Sequence, residues 1–298
     1  MSNKRYPLAA PGIFKTYTKS MSERYVVAVS GGVDSVVLLH MLAQKSEPEL
    51  VVAHFDHGIR DDSAQDAEFV GSLAKKYGLR FETRREELGK QASEELARDR
   101  RYKFLRSVAQ KYGSKIMTAH HGDDVIETVG INLTRGTGWR GLAVLDSDIV
   151  RPLLDLGKQD ILNYAKKHQL QWREDSTNAS ENYLRNRLRR KTVKLDDNSR
   201  RQLLSLRQQQ VKSKRNIEAE VCELVGLGPT YSRYFFSQIG DLTGLECLRF
   251  VVQAKLTRPQ LRAALLAIKT FRPSKIYQAG GGVELSFTSR NFSVKLIK

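Results

Sequence analysis

The segment 30–35 is rich in groups that can do chemistry, because it combines two hydroxyl groups, two glycines and a carboxylate. Its residues are Ser30, Gly31, Gly32, Val33, Asp34 and Ser35. An apolar, β-branched stretch typical of a buried strand precedes it, and a stretch typical of a helix follows. Glycines let the backbone approach an anion closely, and a helix N-terminus directs unpaired N–H groups at it. The pattern therefore predicts a phosphate-binding loop, to which the serine hydroxyls can add donors.

Asp34 narrows the ligand that this loop is expected to bind. A carboxylate beside a polyphosphate is repulsive unless a cation lies between them, and Mg²⁺ is the natural bridge. The segment therefore predicts a nucleotide together with magnesium. It is neither a Walker A loop, since no lysine follows the glycines, nor a G-x-G-x-x-G loop.

The elements that must position this loop alternate between strand and helix. Strand-like stretches at 25–29, 50–55, 80–84 and 115–119 are each followed by a helical pattern, which predicts an α/β fold with a doubly wound parallel sheet. Ligands of such sheets bind beyond the carboxyl ends of the strands. The polar segments that follow three of these strands should therefore meet at one edge. They are 30–35, 56–60 and 120–124.

The third polar segment carries adjacent carboxylates, Asp123 and Asp124, at the predicted start of a helix. One of them is expected to cap that helix, and Glu127 lies on the same helical face as Asp124. The histidines of these segments have no spacing typical of metal ligands, so we predict no histidine metal centre.

Composition favours a polyanionic partner. The 298 residues carry 50 Lys and Arg against 33 Asp and Glu, a net charge of +17. Basic residues are concentrated in 184–215, where only Asp196 and Asp197 oppose them. The two cysteines, Cys222 and Cys247, form no C-x-x-C pair, which excludes a disulfide scaffold and fits a reducing compartment. Apolar runs are all too short to span a membrane, so the expected location is the cytoplasm.

The sequence predicts three parts. Residues 1–195 form the α/β catalytic domain, 196–225 a helical linker, and 226–298 a small α+β domain. Within the last part we expect a strand over 248–254, a helix over 258–267, and alternating strands after the three glycines 280–282.

The segment 30–35 resembles the signature of the PP-loop ATP pyrophosphatases, a group with an adenine nucleotide alpha hydrolase-like fold. Further stretches occur in the order typical of one branch of that group, the tRNA(Ile)-lysidine synthetases, and the resemblance spans about 24 to 190. These stretches are 54–60, 119–128, 135–142, 151–154, 172–178 and 183–189.

The resemblance implies an enzyme that uses ATP and Mg²⁺ to join free L-lysine to C2 of the wobble cytidine of tRNA(Ile) with a CAU anticodon. The cytidine would first be adenylated, releasing pyrophosphate, and AMP would leave when lysine attacks. It implies catalytic roles for Asp34, Asp124 and Arg101, with Asp34 and Asp124 as magnesium ligands. The concentration of basic residues, rather than the resemblance, leads us to expect tRNA binding by the segment 184–215 and by the domain 226–298 that follows it. The residues that the resemblance implies for substrate binding are Asp56, Glu127, Arg135, Gly136, Thr137, Gly138, Arg140 and Asp175.

Two alternatives remain open from the sequence. One is another adenylating ligase of the same group, similar to NAD synthetase, although a small-molecule enzyme does not need the basic surface. The other is an ATP- or RNA-binding protein without catalysis, which would tolerate loss of Asp34 or Asp124. The tRNA thiolases of the group carry sulfur on paired cysteines, a pattern that Cys222 and Cys247 do not fit.

Overall fold

A parallel four-stranded sheet organises the first part of the chain. The computed structural model describes residues 24–45, 48–58, 63–89, 92–173 and 195–297. The strands are β1 (Arg24–Ala28), β2 (Glu49–Asp56), β3 (Arg80–Arg85) and β4 (Lys115–Met117). Their order in the sheet is β3-β2-β1-β4, and every pairing is parallel. The expected parallel α/β sheet is confirmed.

Helices cover both faces of this sheet. They are α1 (Val33–Ala43), α2 (Ser63–Lys76), α3 (Glu94–Lys111), α4 (Gly122–Thr134) and α5 (Lys158–Lys167). Side chains alternate along β1, so Tyr25 and Val27 pack with α1, α2 and α5, while Val26 packs with α3. Burial on both faces explains why β1 and β2 read as continuous apolar runs.

The edge of the sheet beyond β4 is extended by a segment that returns from α4. Met117 bridges Val150 and His121 bridges Leu153, both in the parallel sense. This return places the start of α5 beside the start of α4. The backbone N–H of Lys158, the first residue of α5, donates to Asp123 Oδ2 at 2.7 Å.

A 29-residue helix, α6 (Asp197–Val225), follows. The chain divides into two compact units between Gln208 and Gln209, within this helix. In the first unit Leu204 packs against Val125 and Val129 of α4, and Arg200 forms an ion pair with Asp123. These contacts tie the beginning of α6 to the parallel-sheet unit.

The second unit combines three short helices with an antiparallel sheet. The helices are α7 (Arg233–Gln238), α8 (Asp241–Val251) and α9 (Arg258–Thr270). The strands are β5 (Tyr231–Ser232), β6 (Ile276–Gly280), β7 (Val283–Phe287) and β8 (Asn291–Leu296), in the order β5-β8-β7-β6. Its core includes Phe236, Leu248, Leu261 and Leu285, each fully buried.

The strand expected over 248–254 is wrong. Residues up to Val251 belong to α8, and the chain then turns through Gln253 and Ala254, which both adopt positive φ. The apolar run is continuous because Leu248, Val251 and Val252 are all buried in the core of the unit. A short run buried on one side of a helix cannot be told from a buried strand by periodicity alone.

The helix expected over 258–267 is confirmed and extends to Thr270. Among the described residues, no helix is both long and apolar enough to cross a membrane.

Candidate active site

The loop between β1 and α1 has the shape that its glycines predict. Gly31 adopts φ of +95°, a conformation that residues with a side chain rarely reach. Gly32 is the N-cap of α1 and makes no side-chain capping bond. The N-terminal N–H groups of α1 are therefore not capped by its N-cap side chain, which is the arrangement that binds phosphate.

The two serine hydroxyls hold this loop together from within. Ser35 Oγ donates to Gly32 O at 2.9 Å and accepts the N–H of Ser30 at 3.2 Å. The hydroxyls of Ser30 and Ser35 lie 3.3 Å apart. Ser35 is buried and supports the loop, whereas the exposed Ser30 is the hydroxyl that can turn to an incoming oxygen.

A cavity of about 480 Å³ opens beside the loop, within the range that holds small molecules and cofactors. The three polar segments predicted to meet at one edge all contribute to its wall. The sequence-predicted residues on the wall are Ser30, Gly32, Asp34, Ser35, Asp56, Arg101 and Asp124. Residues with no predicted role also line it, among them Ser63, Asp66, Tyr102, Thr118 and Arg173.

Asp34 and Asp124 approach the same imidazole. Asp34 Oδ2 lies 3.9 Å and Asp124 Oδ2 lies 3.5 Å from His121 Nε2. Magnesium in nucleotide sites is held by one or two carboxylates plus substrate phosphates, so this pair fits such an ion. In the part of the chain that the structure describes, no three His, Cys, Asp or Glu side chains form a metal cluster by themselves.

The adjacent carboxylates of α4, Asp123 and Asp124, make different contacts. The N-cap of α4 is His121, so the N-cap role predicted for one of the two aspartates is wrong. Asp124, the third residue of the helix, instead accepts the N–H of His121 through Oδ2 at 2.9 Å. Asp123 instead faces the start of α5 and Arg200. Burial opposes its charge, but the hydrogen bonds from Arg200 and from the N–H of Lys158 outweigh burial and lower the pKa of Asp123. Asp123 is therefore a structural anion.

Two histidines of the cavity wall, His57 and His120, are held neutral. Burial, reinforced by the nearby charge of Arg101, lowers the pKa of His57 to about 4. Burial also lowers the pKa of His120 to about 4, against the opposing effect of Asp124 and with the help of arginines that include Arg101. The wall of the cavity therefore carries the positive charge of Arg101 beside uncharged imidazoles.

Several buried polar atoms on this wall have no hydrogen-bond partner within the described residues. They are His54 Nε2, His57 Nδ1 and Ser63 Oγ. The other ring nitrogen of His54 is fixed by Val29 O at 2.8 Å, so its orientation is set. Buried polar atoms without a partner are rare in folded proteins, and these three belong to residues that line the cavity.

A family model described as the PP-loop domain matches residues 9–195. The chain belongs to the PP-loop family. This membership confirms the expectation drawn from the segment 30–35, and ATP is the nucleotide that the family uses.

Curated relatives of this PP-loop chain are called tRNA(Ile)-lysidine synthase. The relative from Solibacter usitatus is 42% identical over 172 residues, covering 56% of this chain and 39% of that protein. The relative from Thermotoga maritima is 39% identical over 187 residues, covering 58% of this chain and 45% of that protein. The match therefore spans about two fifths of the length of these relatives.

A solved structure with the same fold is the U34-tRNA thiolase NcsA from Methanococcus maripaludis. It has a TM-score of 0.52 and 18% identity, and the match covers 69% of this chain and 76% of that chain. At this identity the likeness concerns the fold alone. In the present chain both cysteines belong to the second unit.

Some predicted substrate residues are not on the cavity wall. Within the described residues the wall does not include Glu127, which is buried one turn after Asp124, nor the loop that ends α4. In that loop Gly136 adopts positive φ and Thr137 Oγ1 donates to Asn132 O at 2.9 Å. The predicted residues of this region are Arg135, Gly136, Thr137, Gly138 and Arg140. Their substrate role stays a prediction, and Asp175 lies outside the described residues.

Asp56 reaches the cavity but already has partners. Its Oδ1 accepts the N–H of Gly58 at 2.9 Å, and its Oδ2 accepts from Arg85 at 3.1 Å. These contacts fix the turn after β2, so any substrate contact by Asp56 would add to a structural task.

Two residues contact the PP-loop in a way that the sequence analysis did not predict. Arg173 donates its backbone N–H to Gly31 O at 3.0 Å, and its side chain pairs with the buried Asp66 of α2. Lys158 places its ammonium 2.5 Å from Asp34 Oδ1. Both lie more than a hundred residues after the loop. Arg173 falls in the stretch 172–178 that carries the family resemblance, but no role was predicted for it, and Lys158 belongs to no such stretch.

Proposed function

We propose that the chain is an ATP-dependent ligase that joins lysine to C2 of the wobble cytidine of tRNA(Ile) with a CAU anticodon. The observation that carries this proposal is the cavity beside the PP-loop, walled by Asp34, Asp124 and Arg101. It occurs in a chain about 40% identical, over its PP-loop part, to relatives called tRNA(Ile)-lysidine synthase. The reaction would take place in the cytoplasm, where ATP, tRNA and free lysine meet.

The first step activates the base. The cytosine O2 attacks the α-phosphorus of ATP, and the bond to the β-phosphate oxygen breaks, so pyrophosphate leaves. The loop of Ser30, Gly31 and Gly32 would bind the leaving pyrophosphate through its N–H groups. Arg101 would stabilise the negative charge that develops on the α-phosphoryl oxygens. When bound through Asp34 and Asp124, magnesium would supply neutralisation of phosphate charge.

The second step replaces AMP by lysine. The free amine attacks C2 of the adenylated cytosine, and the C2–O bond to AMP breaks. The amine must first lose a proton, and a carboxylate within reach serves as the acceptor. Asp124 is on the cavity wall, whereas Glu127 lies one turn further along α4. Asp56 and Asp175 complete the set of candidates that would hold the lysine ammonium.

The neutral histidines of the cavity suit this chemistry. His57 and His120 stay uncharged at neutral pH, so they add no cation that would compete with lysine for the carboxylates. Uncharged imidazoles can still donate or accept one hydrogen bond at each nitrogen.

The test is incubation of the chain with ATP, labelled L-lysine and total tRNA, followed by digestion and nucleoside analysis. The proposal expects label in a modified cytidine only when ATP and tRNA are both present, with AMP and pyrophosphate as products. Equal turnover with ammonia in place of lysine, and with no need for tRNA, would instead indicate an NAD synthetase-like ligase. ATP binding with no product of either kind would indicate a non-catalytic nucleotide-binding protein.

A further inference from the structure

The ammonium of Lys158 lies beside the phosphate-binding loop, although the residue is distant in sequence. Its Nζ is 2.5 Å from Asp34 Oδ1, and Asp34 lines the cavity at the N-terminus of α1. We propose that Lys158 is the phosphate-binding lysine of this PP-loop and contacts the β- and γ-phosphates of ATP. The inference rests on the proposed ATP-dependent function.

The backbone of Lys158 is held more firmly than its side chain. Its N–H donates to Asp123 Oδ2, and the preceding residue, Gly157, donates its N–H to Asp160 Oδ2 at 2.9 Å. Its side chain, by contrast, is 33% exposed. A lysine stem of four carbons on a fixed backbone can move its charge by a few ångströms without moving α5.

Charge balance favours a bridging role. Asp34 alone would repel a polyphosphate, whereas the Asp34–Lys158 pair is neutral overall. An ammonium has three donors, and one of them is used by Asp34 Oδ1. The remaining donors have the chemistry to bind phosphate oxygens as a point charge, as lysines do in other phosphate-binding loops.

The competing interpretation gives the opposite result. If Lys158 only balances the charge of Asp34, it competes with magnesium for that carboxylate. Removing the ammonium would then free Asp34 for the metal and leave the affinity for magnesium nucleotide unchanged or increased. If Lys158 binds phosphate, removing its ammonium lowers the affinity for the nucleotide.

The experiment compares the full chain with its Lys158→Met and Lys158→Gln variants by titration calorimetry. The probes are α,β-methylene-ATP, which resists cleavage at the reacting bond, and adenosine, which has no phosphate; both are titrated with and without magnesium. Lys166→Met is the matched control, because Lys166 is exposed on the same helix. We expect both Lys158 variants to lose affinity for the analogue by ~10- to 100-fold, the effect of one charge-assisted hydrogen bond.

The ratio of analogue affinity to adenosine affinity decides the matter, because general damage to the cavity lowers both affinities together. Two outcomes overturn the role of Lys158: a ratio in the Lys158 variants equal to that of the wild type, or an affinity of these variants for the analogue with magnesium that exceeds the wild-type affinity. Failure of ATP binding gives a different result, since the wild-type chain itself would then not bind the analogue. Failure of the lysine-ligase function alone is detected by the labelled-lysine assay, and it leaves the wild-type chain able to bind the analogue.

Discussion

At the scale of single residues, burial decides which groups of the cavity carry charge. His57 shows this most simply, because its pKa is lowered to about 4 chiefly by burial and partly by Arg101, while an unfolded histidine titrates near 6.5. Between these two values the unfolded chain binds a proton that the folded chain does not. The contribution of His57 to stability therefore falls as the pH decreases through this window and is constant above it.

This sign gives a prediction for His57→Gln, which removes the titrating ring but keeps a polar side chain. The variant should lose ~1–2 kcal/mol less unfolding free energy than the wild type between pH 7 and pH 5, since solvent that reaches the ring screens part of the effect. The measurement is urea denaturation at both pH values.

An equal loss of stability in wild type and His57→Gln would contradict a neutral His57.

Residues that act through local pattern could be predicted, and residues that act through topology could not. The loop 30–35 could be predicted from the sequence because glycines, hydroxyls and a carboxylate are adjacent in the chain. Lys158 reaches Asp34 across 124 residues, and Arg173 reaches Asp66 across 107, so only the folded sheet brings them together. The sequence could place polar segments at one edge, but not the cations that arrive there from α5 and beyond.

At the scale of elements, the position of α4 depends on a close approach at its first residue. A Cβ on Gly122 would lie 3.0 Å from Leu156 O and 3.2 Å from Leu154 O, both backbone atoms. The N–H of Gly122 also donates to Leu156 O at 2.8 Å. The segment before α5 therefore packs directly on the N-terminus of the helix that carries Asp124.

Gly122→Ala should therefore displace α4 and cost ~1–3 kcal/mol, as overpacking of a tight contact usually does. Because Asp124 lies two residues further on, ATP affinity should fall as well. Denaturation and nucleotide titration measure the two effects.

Gly240→Ala is the matched control, since Gly240 also stands at the start of a helix. A Cβ added there would meet no other part of the described chain within 4 Å. A Gly122→Ala variant as stable as Gly240→Ala would show that the contact is not tight.

Element type was predictable where loops bound an apolar run on both sides, and it was not where the run forms the end of a longer element. The parallel strands read correctly because β1 and β2 are bounded by loops and enclosed on both faces. Residues 248–254 carry a similar apolar run, yet they complete α8 and its terminal turn. There the packing of α8 against α9 stabilises the helical conformation, and that packing involves residues distant in sequence.

At the scale of the whole molecule, the question is which of the basic residues behind the net charge of +17 contact a polyanionic partner. The cavity of about 480 Å³ is far smaller than a tRNA, so binding the proposed tRNA requires contacts with many phosphates elsewhere on the molecule. The helix α6 carries exposed basic residues in both units, including Arg201 and Lys212. Its first turns also contact the parallel-sheet unit through Arg200. A truncation there would therefore change the stability of that unit together with any binding of tRNA.

Neutralising exposed charges in the intact chain separates these effects. The double variant Arg201→Gln, Lys212→Gln removes two candidate phosphate contacts without touching Arg200 or Asp123. Each lost contact releases one counterion fewer, so the slope of log affinity for tRNA against log salt should become shallower by ~1.4 to 1.8. Affinity measured at low salt should fall, while affinity for ATP should stay at the wild-type value. Glu220→Gln, on an exposed position of the same helix, is the control and should leave the slope unchanged. A double variant with the wild-type slope would move the tRNA-binding surface away from α6.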